Sequence, residues 1–245
     1  MTDLLYLKDF NVENCTAAVT SIEPLANNRF DVRLDQTCFY PRGGGQDWDT
    51  GSITTHDSIF EVDQVRIDEN GDVHHLGTFD KTSFAKDDLV KCLVNHDRRA
   101  INTRLHSGGH VIDMAVDALS LGWVPTKGQH FPDLSAIEYK GDWNSEIADS
   151  LKESIQKKIR ELVATGSNNS LLFMDKASMK TVCKNVPNSI PDNKPARVVM
   201  YCENFGIPCG GTHLKNIGEV GIINVKKLKF KKDTIRLSYA VEGIN

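Results

Sequence analysis

The stretch Arg104-Leu-His-Ser-Gly-Gly-His110 combines a helical apolar pattern with two histidines four residues apart. Later in the chain, Cys209-Gly-Gly-Thr-His213 repeats this spacing with a cysteine and a histidine. On a helix, residues i and i+4 share one face about 6 Å apart, so two imidazoles can converge on one ion. We therefore interpret His106, His110, Cys209 and His213 as the ligands of one metal site.

Glycines in both motifs support this interpretation. Gly108 and Gly109 lie within the predicted helix, where each costs up to about 1 kcal/mol relative to alanine, which suggests that another group approaches the backbone there. The adjacent glycines of the second motif allow a tight turn that brings Cys209 and His213 together. The alternatives are packing histidines on an amphipathic helix and a β-turn with an incidental cysteine.

The combination of cysteine and histidine donors favours Zn²⁺ over cations that prefer oxygen. Four protein ligands would close a tetrahedral shell, as in structural sites, whereas a catalytic site keeps one position open. The sequence leaves both kinds of site open.

The composition is that of an ordinary globular protein, with 245 residues, 40% hydrophobic and 25% charged. Apolar runs long enough for a membrane span and a signal peptide are both lacking, so we expect a cytoplasmic protein without a membrane partner. The six dispersed cysteines favour free thiols or metal ligation over disulfides. The net charge of -4 means that a nucleic-acid partner would need a local basic patch. The oligomeric state is left open.

The hydrophobic period changes along the chain and predicts an α+β protein with two domains. Residues 1–95 contain alternating runs separated by turn signals, which predict a β-rich, barrel-like domain. Residues 96–245 predict a second, α+β domain. In that domain we expect helices over 102–121, 145–165 and 175–183, strands over 196–201, 220–225 and 234–241, and a loop over 185–195.

The chain resembles the AlaX-type trans-editing proteins, freestanding relatives of the editing domain of alanyl-tRNA synthetase. The resemblance is carried by the two metal-ligand motifs, the glycine-rich Phe39-Tyr-Pro-Arg-Gly-Gly-Gly-Gln46 and flanking stretches such as 127–133. It implies the medium-length form, with a barrel-like first domain and a zinc-binding editing domain. It also implies a deacylase for tRNA(Ala) mischarged with serine or glycine. The chain departs from the family in Gly108-Gly109 and in Thr126, where synthetase editing domains tend to have glutamine.

The resemblance also suggests substrate contacts. Serine differs from alanine by a hydroxyl, and we expect Thr37 to contact that group, although an ordinary strand threonine is an equal alternative. The backbone of the glycine loop could approach the substrate, or the loop could be a strained hairpin. The loop residues assigned to substrate binding are Gly43, Gly44, Gly45 and Gln46.

Two basic groups are candidates for tRNA contact, although charge runs usually mark solvated faces. The first lies around the first histidine pair and comprises Arg98, Arg99 and Arg104. The second is the run Lys226-Lys-Leu-Lys-Phe-Lys-Lys232, from which we select Lys226, Lys227 and Lys229.

The sequence thus predicts a zinc-dependent aminoacyl-tRNA deacylase in which zinc orients a water or the aminoacyl end. We identify no general base. One rival is a related zinc hydrolase of other aminoacyl esters. A second is a non-catalytic tRNA-binding or synthetase-associated module with a structural zinc.

Overall fold

The structure, a computed structural model, describes residues 1–244 and divides into two compact units. The first unit comprises residues 1–43 and 47–100, and the second comprises residues 44–46 and the chain from 101 onward. Within the described residues, no helix has both the length and the apolar character needed to cross a membrane.

The first unit is built around a six-stranded closed barrel with the strand order β2-β3-β7-β6-β5-β8. Its strands in chain order are β1 (Asp3–Leu4), β2 (Asn14–Pro24), β3 (Phe30–Leu34), β4 (Gln36–Thr37), β5 (Gly51–Thr54), β6 (Ile59–Ile67), β7 (Val73–Phe79) and β8 (Leu89–Val94). The short strands β1 and β4 pair in parallel beside it. Along β8, Val90, Cys92 and Val94 are buried and the residues between them are exposed. This alternation fills the barrel with apolar side chains.

Arg99 is buried in the first unit, where it pairs with the fully buried Asp49. Its guanidinium also donates to the carbonyl oxygens of Val12, at 2.9 Å, and Cys38, at 2.7 Å. A buried charge that bonds several segments holds them in register, because loss of one partner leaves the other unpaired in a low dielectric. Arg99 is therefore part of the framework of this unit.

The second unit contains two antiparallel sheets and the helices. Its elements in chain order are α1 (His96–Ala118), β9 (Val124–Phe131), β10 (Leu134–Lys140), α2 (Ala148–Ala164), β11 (Ser170–Met174), α3 (Lys176–Met179), β12 (Ala196–Tyr201), β13 (Phe205–Pro208), β14 (Ile223–Lys231) and β15 (Thr234–Val241). The larger sheet has the order β14-β15-β10-β9, and the smaller sheet has the order β11-β12-β13. The first residues of α1, up to 100, belong to the first unit.

The larger sheet buries one face, which we call its inner face, against α1. Ile235, Leu237 and Tyr239 alternate along β15 and are buried on this face. The Tyr239 hydroxyl donates to the carbonyl oxygen of Leu105 in α1 at 2.8 Å. The next strand contributes Tyr139, whose hydroxyl donates to Asp113 of α1 at 2.7 Å. These bonds fix α1 against the sheet.

The fold class predicted from the sequence is confirmed: a barrel-like β unit accompanies a mixed α+β unit with a His/Cys cluster. Several element boundaries differ. The helix α1 begins earlier than predicted because Asn95 accepts a hydrogen bond from the backbone N–H of Arg98 at 3.0 Å and caps it. The helix predicted over 175–183 is limited to α3. The strand predicted over 220–225 begins only at Ile223, after a 3₁₀ turn over Ile217–Val220.

Candidate metal centre

Four side chains of the second unit converge in a cluster that could hold a metal ion. α1 supplies His106 and His110, and the turn after β13 supplies Cys209 and His213. Their ligand atoms all lie within 4.8 Å of one another. The Cys209 Sγ atom is 3.2 Å from Nε2 of His213 and 3.5 Å from Nε2 of His106. The structure therefore brings together the four residues that the sequence motifs suggested.

Each histidine of the cluster has its Nδ1 atom bonded to a different neighbour. His106 donates from Nδ1 to Gln46 Oε1 at 2.8 Å. The same atom accepts the Thr212 backbone N–H at 3.0 Å, which identifies it as the amide oxygen and therefore as an acceptor. His110 Nδ1 lies 3.1 Å from Asp113, and His213 Nδ1 lies 2.9 Å from the Tyr201 hydroxyl. We assign a proton to Nδ1 in all three rings, so Nε2 is the nitrogen left to coordinate a metal ion. Such outer hydrogen bonds orient imidazole ligands and increase their basicity.

The Nε2 atom of His110 is buried and has no hydrogen-bond partner among the residues that the structure describes. A buried nitrogen without a partner costs about 1–3 kcal/mol, so its presence needs a cause. A cation held jointly with the other three donors would satisfy it. The cluster thus fits a metal ion by both its donor chemistry and its unpaired atom.

The electrostatics of the cluster favour an added positive charge. Burial lowers the pKa of His106 and of His213 well below the usual value, so both rings are neutral and keep a lone pair at neutral pH. Burial alone would raise the pKa of the Cys209 thiol, but His110 and the Arg197 charge lower it overall. Burial also opposes charge on His110, yet Asp113 and the Cys209 sulfur raise its pKa to about 9.

The turn that carries Cys209 and His213 is shaped by Arg197, a buried residue of β12. Its guanidinium donates to the carbonyl oxygens of Cys209 and Gly211. A Cβ atom on Gly211 would lie 2.1 Å from the His106 ring, so only glycine fits beside that ligand. The glycines of this motif therefore permit close approach as well as the turn.

The group that approaches the α1 backbone at Gly109 is the ring of His130, from β9. A Cβ atom on Gly109 would lie 2.4 Å from this ring, whereas one on Gly108 would meet Val241 at 3.2 Å. His130 stacks on His106, with ring centroids 4.5 Å apart, and its Nδ1 atom lies 2.7 Å from the Tyr239 hydroxyl. The interpretation of the helix glycines as a place of close approach thus applies most strongly to Gly109.

The glycine loop is divided between the units, since Gly43 belongs to the first and 44–46 to the second. Within the second unit, the Gly45 carbonyl oxygen accepts the backbone N–H of His130 at 2.8 Å. A Cβ atom on Gly45 would lie 2.3 Å from the Gly128 carbonyl oxygen, and its φ of +77° also favours glycine. The loop therefore lies directly against β9.

Gln46 makes hydrogen bonds near the cluster that the sequence did not predict. Its side chain is fully buried, and its amide nitrogen donates to the Thr212 hydroxyl at 2.9 Å. Its oxygen carries the two bonds from His106 and Thr212 described above. Gln46 therefore orients a metal-ligand candidate, and its predicted contact with the substrate stays a prediction.

Thr37, the residue predicted to contact a serine hydroxyl, is fully buried in the first unit. Its hydroxyl lies 2.8 Å from His75 Nε2 and accepts the Phe39 backbone N–H at 3.1 Å. His75 donates from Nδ1 to the Val32 carbonyl oxygen, and burial lowers its pKa to about 4, so the neutral ring accepts at Nε2. The Thr37 proton is therefore donated to His75.

The arginines predicted to contact tRNA have partners within the protein. Arg99 is the buried framework residue described above. Arg98 donates to Asp47 at 2.9 Å and its guanidinium lies 5.7 Å from the Trp48 ring centroid. Arg104 donates to the carbonyl oxygens of Val220 and Glu242. In contrast, the side chains of Lys226, Lys227 and Lys229 are exposed on β14.

Asp113, Tyr201 and His130 were not selected from the sequence. Asp113 follows His110 by three residues, so its helical spacing was a usable signal. His130 lies within the flanking stretch 127–133 that supported the resemblance. Tyr201 ends a strand, and no local pattern indicated its contact with His213.

Comparison with known proteins finds one family model and several individual relatives that are similar to this chain. Residues 10–98 match the family described as tRNA synthetases class II (A). The alanyl-tRNA editing protein AlaX-M of Methanosarcina acetivorans is 30% identical over 255 residues, which cover 98% of each protein. AlaX-L of Pyrococcus horikoshii is 28% identical over 97% of this chain, which spans only 56% of that relative. The alanine–tRNA ligase of Methanoregula boonei is 27% identical over 90% of this chain and 24% of the ligase.

The two helix glycines provide a matched test of the site. We expect Gly109→Ala to lower the free energy of unfolding by about 1–3 kcal/mol and to reduce bound metal, because the methyl group would displace His130 from His106. Gly108→Ala should change stability by less than about 1 kcal/mol, because helix propensity offsets a mild contact with Val241. Urea unfolding and metal analysis would check both. Equal stability and metal content in the two variants would contradict the assigned role of Gly109.

Proposed function

This chain belongs to the family of alanyl-tRNA editing proteins, and we propose that it hydrolyses the ester linking serine to tRNA(Ala) in a zinc-dependent reaction. It is an aminoacyl-tRNA deacylase for misacylated tRNA(Ala). Serine as the amino acid removed and zinc as the metal are proposed. Gly-tRNA(Ala) is the second candidate substrate. The observation that carries the metal dependence is the convergence of three imidazoles and one thiol with His110 Nε2 unpaired.

Zinc is proposed because one cysteine and three histidines form a donor set typical of that ion. Zinc held by His106, His110, Cys209 and His213 would supply a Lewis acid that polarises an ester carbonyl or activates water, provided that one histidine leaves the shell and opens a position for either. The protein's own contribution is orientation. Gln46, Asp113 and Tyr201 fix the three rings, so the donors need little rearrangement.

The backbone amides of the glycine loop are proposed to stabilise the negative charge that develops on the ester oxygen. Gly44 and Gly45 have φ values of +53° and +77° and carry no side chain that would obstruct approach. Fixed amide donors of this kind stabilise tetrahedral intermediates by electrostatics. Gly43 stays in this group as a predicted substrate contact.

The division into a β-rich domain over 1–95 and a deacylase domain over 96–245 also stays a prediction.

Discrimination between serine and alanine must depend on the serine hydroxyl, because a pocket that admits serine cannot exclude alanine by size. A site with a polar group dedicated to the hydroxyl rejects the analogue lacking it by roughly 10⁴–10⁵-fold. We propose Thr37 for this role. Its proton goes to His75 and one lone pair accepts Phe39 N–H, so a second lone pair is available to the serine hydroxyl.

A deacylation assay on Ser-, Gly- and Ala-tRNA(Ala) tests the function. We expect rapid loss of serine, slow loss of alanine, inhibition by a chelator and recovery with added zinc. Stability of Ser-tRNA(Ala) in the presence of the zinc-loaded protein, combined with turnover of another aminoacyl ester, would contradict the serine assignment. No turnover of any aminoacyl ester would contradict the catalytic proposal.

Double variants separate catalytic from purely structural zinc. We expect Cys209→Ala with His213→Ala to abolish turnover while leaving a folded protein. The matched control is Cys202→Ala with His56→Ala, which removes the same residue types away from the cluster. Unfolding of the first variant alone would instead favour a structural zinc.

Thr37→Val tests the proposed hydroxyl contact. We expect it to reduce serine hydrolysis and to narrow the ratio of serine to alanine turnover, while Thr37→Ser restores the ratio. The valine also removes a partner of buried His75 and should cost about 1–3 kcal/mol of stability. An unchanged ratio of serine to alanine turnover in a destabilised Thr37→Val protein would show that Thr37 contributes only to the stability of the fold.

A further inference from the structure

The outer face of the larger sheet, opposite α1, carries a cluster of basic side chains. One row across the four strands is Lys127, Glu138, Arg236 and Lys229, each paired in register with the next. Strands in a sheet lie about 4.8 Å apart, so this row spans roughly 14 Å. Alternate residues of β10 and β14 add further charges to the same face. We define the basic face as Lys127, Lys140, Lys227, Lys229, Lys231 and Arg236.

The lysines of the basic face lack acidic partners. Within residues 1–244, none of its five lysines forms an ion pair, and all are exposed. Glu138, the carboxylate in the middle of the row, pairs with Arg236 at 2.6 Å. Glu242 lies just past the end of β15. The face therefore keeps an excess of positive charge.

This arrangement is unusual for a chain with a net charge of -4. Lys229 lies directly opposite Arg236, and like charges at paired positions destabilise a sheet. A local concentration of unpaired cations on one face creates a field that attracts polyanions. Charge complementarity thus identifies the kind of partner.

The basic face adjoins the metal centre through β9. Lys127 is followed by Gly128, against which the loop residue Gly45 packs. Two residues further, His130 points to the inner face and stacks on His106 at 4.5 Å. A polyanion on the basic face would therefore lie beside the edge of the sheet that leads to the glycine loop and the metal ligands.

We propose that the basic face binds the sugar–phosphate backbone of the helical stem of tRNA next to its aminoacylated end. This inference rests on the proposed function and specifies where that substrate docks. It keeps Lys227 and Lys229 of the lysine run selected from the sequence and replaces the other predicted contacts. Arg98, Arg99 and Arg104 have internal partners, and Lys226 occupies the bulge of β14 outside the register. Lys127 joins the face from β9, at the opposite edge of the sheet, and Arg236, which pairs with Glu138, joins it from the neighbouring β15.

The test neutralises three adjacent lysines in the variant Lys227→Gln, Lys229→Gln, Lys231→Gln. The control, Lys81→Gln, Lys86→Gln, Lys91→Gln, makes the same change in net charge on exposed lysines of the first unit. Binding of uncharged tRNA(Ala) transcript is measured by fluorescence anisotropy over a series of salt concentrations. The plot of log affinity against log salt should lose a slope of about 1 for each phosphate contact removed, so about 3 in the first variant.

In deacylation, the first variant should show at least a tenfold higher KM with an unchanged kcat, and the control should match the wild-type protein. Wild-type affinity and salt slope in the first variant, or an equal loss in the control, would overturn the inference. The binding arm is independent of turnover. If the wild-type protein binds transcript through this face but hydrolyses no aminoacyl ester, the proposed function fails while the docking surface stands.

Discussion

The site depends on one constraint: three imidazole rings and a thiolate can share an ion only if each ring directs its Nε2 atom at the same point. The structure meets it by fixing every Nδ1 atom, with Gln46 on His106, Asp113 on His110 and Tyr201 on His213. These partners come from a loop, a helix and a strand. The second unit therefore places three orienting groups next to the histidines of one helix and one turn.

Close packing around the ligands explains the glycines. A side chain at Gly109 would collide with the ring of His130, and one at Gly211 would collide with that of His106. Gly45 is restricted both by the Gly128 carbonyl and by its positive φ. Glycine loses more backbone entropy on folding than alanine would at each of these positions, but it allows the rings and backbone groups to come into direct contact.

The sequence predicted the parts of the site that follow from local geometry. The helical period joins His106 to His110, and the glycine turn joins Cys209 to His213, because both spacings are short. Tyr201 and Gln46 could not be assigned in the same way, since only the tertiary fold brings them to the rings. Arg99 shows the converse failure: its charge suggested RNA contact, but its burial against Asp49 could not be inferred from the residue type.

The central claim is that these four residues hold zinc. X-ray absorption at the zinc edge of the purified protein measures it most directly. The account predicts one sulfur at about 2.3 Å and nitrogen ligands at about 2.0–2.1 Å, with the sulfur lost in Cys209→Ala. Zinc surrounded only by oxygen and nitrogen in the wild-type protein, or a sulfur shell that persists in Cys209→Ala, would contradict it.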